Sequence, residues 1–208
     1  MNRRAFLVAL PAVSAALAVE ARPAMESVPS AAVQDLEYMR ALERAQRERP
    51  RVLSSRARIA PVGEPSTPLV IHGRLFQRDG RTPARGVCIF AYHTDRTGIY
   101  AEPSKGPHVW RLRGWAETDA EGRFQFDTIR PAPYPSRAMA AHVHLSIEDP
   151  RVPRQSFGVL FADDPLVSAS EREASTREGL FGSVLAVEVR DGVQHVTVNL
   201  KIEDRGRF

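Results

Sequence analysis

From Leu69 onward, apolar and polar positions alternate in short runs that stop at Gly, Pro or Asp. Residues 69–77, 86–93, 122–129, 141–147, 156–161, 183–189 and 195–202 are each rich in β-branched or aromatic side chains, the pattern of half-buried strands. Strands of this number and length predict an all-β chain folded as a single β-sandwich. Asp119 to Gly122 reads as a tight turn, and Pro131 to Pro135 ends the strand that carries Phe124 and Phe126. Upstream the period changes. Val33, Leu36, Met39, Ala41 and Leu42 recur at roughly helical spacing among charged residues, which predicts a short amphipathic helix between Val33 and Arg49. That helix either packs on its own sandwich or joins two copies into a homo-oligomer. The Ser, Pro and Gly content of 51–68 reads as linker, 103–113 as a long basic loop, and 162–179 as a polar surface loop with a helical turn near Ser170 to Arg177.

The first residues follow neither period. Arg3 and Arg4 precede Phe6, Leu7 and an apolar run to about Ala18, the layout of an export signal. The run is shorter than the ~20 residues that span a bilayer. Ala16-Leu-Ala18 offers a small-x-small cleavage site, with Ala21 and Ala24 as alternatives. Arg3-Arg4-x-Phe-Leu resembles a twin-arginine signal, a route for already folded proteins, against an ordinary secretory signal with two chance arginines. The expected division is therefore an export signal over 1–24, helix and linker over 25–68, and a sandwich over 69–208. The expected location is periplasmic or secreted, with no membrane span once the signal is removed.

A chain of 208 residues is long enough for one domain with its own core. Its single cysteine, Cys88, cannot form an internal disulfide and shares a strand face with Phe90 and Tyr92, so it reads as a buried thiol. Loss of Arg3 and Arg4 with the signal takes the formal charge from +4 to +2. The remaining arginines are scattered rather than striped, which argues against a nucleic-acid partner.

Candidate chemistry gathers between Tyr100 and His144. In Ala141-His-Val-His-Leu-Ser-Ile147 the strand period sends His142 and His144 to one face and Val143 and Leu145 to the other. Tyr134 sits where a strand has just ended. Alone, the histidines could be polar residues on a wet face, Tyr100 a loop aromatic and Tyr134 a corner tyrosine bonded to backbone. Together they suit a trivalent cation, which ionises phenols that otherwise titrate near pH ~10. Trp110 and Trp115 either line a planar substrate or anchor a loop. His93 is a candidate to support the first tyrosine's loop, while His72, His108 and His195 read as ordinary surface or strand residues.

From Leu69 to Leu166 the chain resembles the intradiol ring-cleavage dioxygenases. The resemblance rests on Asp79-Gly80-Arg-Thr-Pro83, Val87 to Asp95, Gly98-Ile-Tyr100, Thr118 to Pro131 and the final His-x-His, in matching order and spacing. It implies a mononuclear Fe(3+) held by Tyr100, Tyr134, His142 and His144, no organic cofactor, and a small aromatic diol and O2 as substrates. Two positions depart from the family. Its usual arginine three residues before the first histidine is Met139 here, with Arg137 two residues earlier as a candidate replacement, and its later glutamine is replaced by Gly158 or Val159. A competing resemblance, carried by Asp79-Gly80-x-x-Pro83 and Thr118-Asp119-x-x-Gly122-x-Phe124, is to transthyretin-like and carboxypeptidase-regulatory-like modules, which bind no metal. An iron-binding relative with lost or altered activity is the third reading.

Overall fold

The computed structural model describes residues 39–45, 47–102, 106–152 and 154–204. The signal expected over 1–24 and the first turns of the expected helix lie outside them. Strands run as β1 (Arg56–Arg58), β2 (Pro68–Phe76), β3 (Cys88–His93), β4 (Ala101–Glu102), β5 (Gly106–Trp110), β6 (Arg113–Glu117), β7 (Arg123–Ile129), β8 (His142–Glu148), β9 (Gln155–Phe161), β10 (Val184–Leu185), β11 (Glu188–Arg190) and β12 (Val193–Lys201). They form one sheet of order β1-β7-β2-β12-β11, a second of order β10-β9-β8-β3-β6, and a small β4-β5 ribbon. The sandwich expected from alternation is the observed architecture.

Alternation explains why the sheets face each other. Along β2, Leu69, Ile71 and Leu75 are buried while Val70, His72 and Arg74 turn outward. On the facing sheet Ile89, Ala91, Val143, Leu145, Ile147 and Phe161 point into the same core, where each large apolar side chain contributes roughly 1.5–3 kcal/mol. Strand β3 is buried on both faces. Its Ile89 and Ala91 belong to the core, whereas Phe90 and Tyr92 lie under α1, the helix whose residues 39–45 are described. Ala41, Leu42 and Ala45 of α1 cover that second cluster together with Trp110, so the helix packs on its own sandwich. Cys88 is buried at the start of β3 as expected, and burial pushes its thiol up to about 11.

Four expectations are corrected. The stretch read as linker contains β1, which pairs in parallel with β7. The stretch read as a basic loop contains β5 and reaches β6, whose register places Trp115 beside Phe90; charged residues on the outer face mask its alternation. The single strand expected over 183–189 is divided between the two sheets as β10 and β11. The surface loop after Ala162 contains a full helix, α2 (Ala169–Glu178), with Ser168 as N-cap and a capping box to Glu171. Only Ser175 of α2 is buried, so no apolar stripe announces it; the Ser168-x-x-Glu171 spacing is the signal that does.

Candidate metal centre

His142 and His144 stand on the face of β8 opposite the core, and the register sets Tyr92 beside His144 on one side and Gly158 on the other. The two tyrosines arrive on loops. Asp95 Oδ1 accepts bonds from the Thr97 and Ile99 backbone N–H groups at 2.7 and 3.2 Å, and the Asp95 carbonyl accepts from Ala132 N–H at 3.1 Å. These bonds fasten the Tyr100 loop to the segment that leads to Tyr134. Gly98 permits the close approach: its φ is +83°, and a Cβ there would lie 2.2 Å from the Pro133 carbonyl oxygen.

Four atoms meet as a result. Tyr100 Oη lies 2.7 Å from Tyr134 Oη, Tyr134 Oη 3.1 Å from His142 Nε2, His142 Nε2 3.0 Å from His144 Nε2, and His144 Nε2 3.0 Å from Tyr100 Oη. The circuit closes. Donors held about 2.1 Å from one ion at right angles would stand about 3 Å apart, so the spacing fits a single small cation. His142 Nδ1–H donates to the Ala140 carbonyl at 2.7 Å, leaving the Nε2 lone pair toward the other three atoms. Among the described residues no three His, Cys, Asp or Glu side chains converge as a metal-binding group; the phenols are what complete this set.

Electrostatics favour a cation over protons. Burial, with His142 and His93 adding to it, pushes His144 down to about 3, so the imidazole is neutral at ordinary pH. Burial raises the Tyr134 phenol above its ordinary value, with a partly opposing bond from Tyr100. Ionising it therefore calls for a nearby positive charge.

Arg137 is not brought into the circuit. Its side chain is exposed, and its backbone, at φ +52°, donates to the Tyr134 carbonyl at 2.8 Å to close a turn. Trp110 is buried against Tyr92, with ring centroids 4.2 Å apart, and Tyr92 stacks on His144 at 4.5 Å and 8°. Trp110 is thus an anchor, and Tyr92 sets the plane of one imidazole. Sequence reading missed Tyr92, whose place on the outward face of β3 was the available signal. His93 is buried with Nδ1–H donating to the Thr94 carbonyl at 2.7 Å and Nε2 accepting from Thr128 Oγ1 at 2.6 Å, which braces the strand end before the Tyr100 loop. His72 and His195 instead bond one another at 3.1 Å on the far sheet.

A cavity of about 350 Å³ opens from His142 and His144 between β9 and α2, with Met139, Phe157, Leu160 and Phe181 among its walls. A larger cleft of about 560 Å³ lies at the other end of β3, around Arg49, Cys88 and Arg151. It touches none of the four residues of the circuit, whereas the smaller cavity reaches two of them, His142 and His144.

A family model described as a dioxygenase, Dioxygenase_C, matches residues 52–203. The chain belongs to the intradiol ring-cleavage dioxygenase family. Catechol 1,2-dioxygenase 2 of Acinetobacter lwoffii is 26% identical over 155 residues, covering 67% of this chain and 56% of that protein. Catechol 1,2-dioxygenase 1 of the same organism is 34% identical over 73 residues, 34% of this chain and 23% of that protein. The match of this family member thus spans little more than half the length of the first of these relatives and less than a quarter of the second. Among solved structures, the dioxygenase domain of a carbohydrate-binding fusion from Streptomyces sp. SirexAA-E superposes with a TM-score of 0.57 at 20% identity, covering 75% of this chain and 92% of that one. An intradiol ring-cleavage dioxygenase from Tetranychus urticae gives 0.55 at 18%, covering 76% and 91%. At such identities these likenesses speak for the fold.

Proposed function

We propose that this dioxygenase-family chain holds ferric iron through Tyr100, Tyr134, His142 and His144 and cleaves a catechol-type diol with O2, between its hydroxyl-bearing carbons, to a muconate-type diacid. The closed circuit of two phenol oxygens and two imidazole nitrogens at 2.7–3.1 Å carries this reading. Phenolates favour a hard trivalent ion, and zinc sites seldom use them. When bound, ferric iron would make the diol ring electron-rich toward O2.

The chain's own residues do the rest. Two ionised phenols cancel two of three metal charges and neutral imidazoles cancel none, leaving one positive charge to attract ionised diol oxygens. Burial raises the proton affinity of the Tyr134 oxygen, which suits it to take a proton from an incoming diol. The stack of His144 on Tyr92 and the bond from His142 to Ala140 hold both imidazoles in place. The apolar walls at Leu160 and Phe181 give a flat ring a dry surface.

Iron-loaded protein should be red-brown, lose much of that band in Tyr100→Phe and in Tyr134→Phe, and change colour when catechol is added. A folded, colourless protein without iron would overturn the proposal and favour a metal-free sandwich module. A second reading keeps the iron without turnover, because Gly158 supplies no side chain opposite His144. Catechol-dependent O2 uptake by iron-replete protein separates the two. The proposal includes export by the N-terminal signal, checked by finding processed protein in the periplasm or medium.

A further inference from the structure

Resting on the diol reading above, we propose that the cavity selects catechols whose ring substituent ends in an ammonium group and rejects those whose substituent ends in a carboxylate. Among the described residues its charged lining groups are Glu171 and Glu178, both acidic, and neither lysine nor arginine lines it. Glu171 stands in the first turn of α2 and is ionised: hydrogen bonds, that of the Ser168 hydroxyl first, hold its carboxyl below the ordinary range. Its Oε2 accepts from Ser168 N–H and Oγ–H, each at 2.7 Å, which fixes where that charge sits. Two nearby cations, Arg172 and Lys201, are engaged elsewhere. Arg172 donates to the carbonyls of Ala162 and Asp164, and Lys201 lies over the Phe181 ring and beside Glu203.

There is also room for a substituent. Gly158 lies directly across from His144, and a Cβ built on it would meet no atom within 4 Å. A diol seated against the two histidines can therefore carry a chain past Gly158 toward the acidic wall of α2, while Leu160, across from His142, flanks its ring. Coulomb energy between unit charges in a partly desolvated cleft is enough to separate opposite substituents by ~10-fold or more.

The test titrates iron-loaded protein, without O2, with catechol, 4-(2-aminoethyl)catechol and 3-(3,4-dihydroxyphenyl)propionate, reading Kd from the visible spectrum and so apart from turnover. The amine should bind ~10-fold or more tightly than the propionate. Glu171→Gln, which retains a capping-box partner for Ser168, should shrink that gap several-fold, and Glu178→Gln, at an exposed position, should shrink it less. Gly158→Leu should weaken both substituted rings more than catechol. Equal binding of amine and propionate, or an unchanged gap in both glutamine variants, would overturn the selectivity while leaving the diol reading intact. If catechol itself fails to bind, the diol reading falls and the selectivity with it.

Discussion

Each of the four proposed donor residues depends on a neighbour outside the set. Gly98 is the sharpest instance, because its missing side chain is what lets the Tyr100 loop lie on Pro133. Gly98→Ala should cost about 1–3 kcal/mol from the positive φ and the carbonyl contact, and should reduce iron content per folded chain, measured by metal analysis beside urea melts. Tyr92→Leu should leave iron bound but change the visible band, since it frees the plane of His144 without removing a donor. His93 offers a prediction in pH. Its folded pKa is about 4 because burial penalises the cation, below the ~6.5 of an unfolded histidine. The unfolded chain therefore binds the proton first, and the stability present above pH ~6.5 is lost as pH falls toward ~4, on the order of 3 kcal/mol. His93→Gln should flatten that part of the profile in urea melts taken at several pH values.

Elements show which parts of the sequence could be read in advance. The half-buried strands and the His-x-His pair were legible because alternation writes them directly into the order of residues, with Val143 and Leu145 against His142 and His144. Strand β6 was not, since Arg113 and Glu117 occupy outward positions and Gly114 interrupts its pattern. Helix α2 was hidden for the converse reason, being polar nearly all round and defined by its cap. Ser168→Ala should cost about 1 kcal/mol, read as a drop in the urea midpoint. On the outward face of β3, α1 has apolar residues matched to Phe90, Tyr92 and Trp110. Leu42→Ala should destabilise by about 2–3 kcal/mol through the cavity it leaves, with a change in tryptophan fluorescence. Gathering Tyr100 with Tyr134 was beyond alternation, because the loop closed on the Asp95 carboxylate is joined to the Tyr134 segment by the bond that the Asp95 carbonyl accepts from Ala132 N–H.

For the molecule as a whole, the proposed metal site and the fold share strand β8. Iron that binds only the folded chain stabilises it by mass action, ~2.7 kcal/mol at a hundredfold excess over Kd. A chelator should accordingly lower the melting temperature of the loaded protein, and should not do so in a variant lacking both Tyr100 and Tyr134. The same strand has a consequence for quality control. Because its side chains alternate, sliding β8 by one residue would carry both imidazoles into the core and turn Val143 and Leu145 outward, so a mispaired chain has no donor set to offer. On the proposed site, a chain that captured iron would thereby have had its strand pairing proofread, and its colour would be a certificate of correct folding.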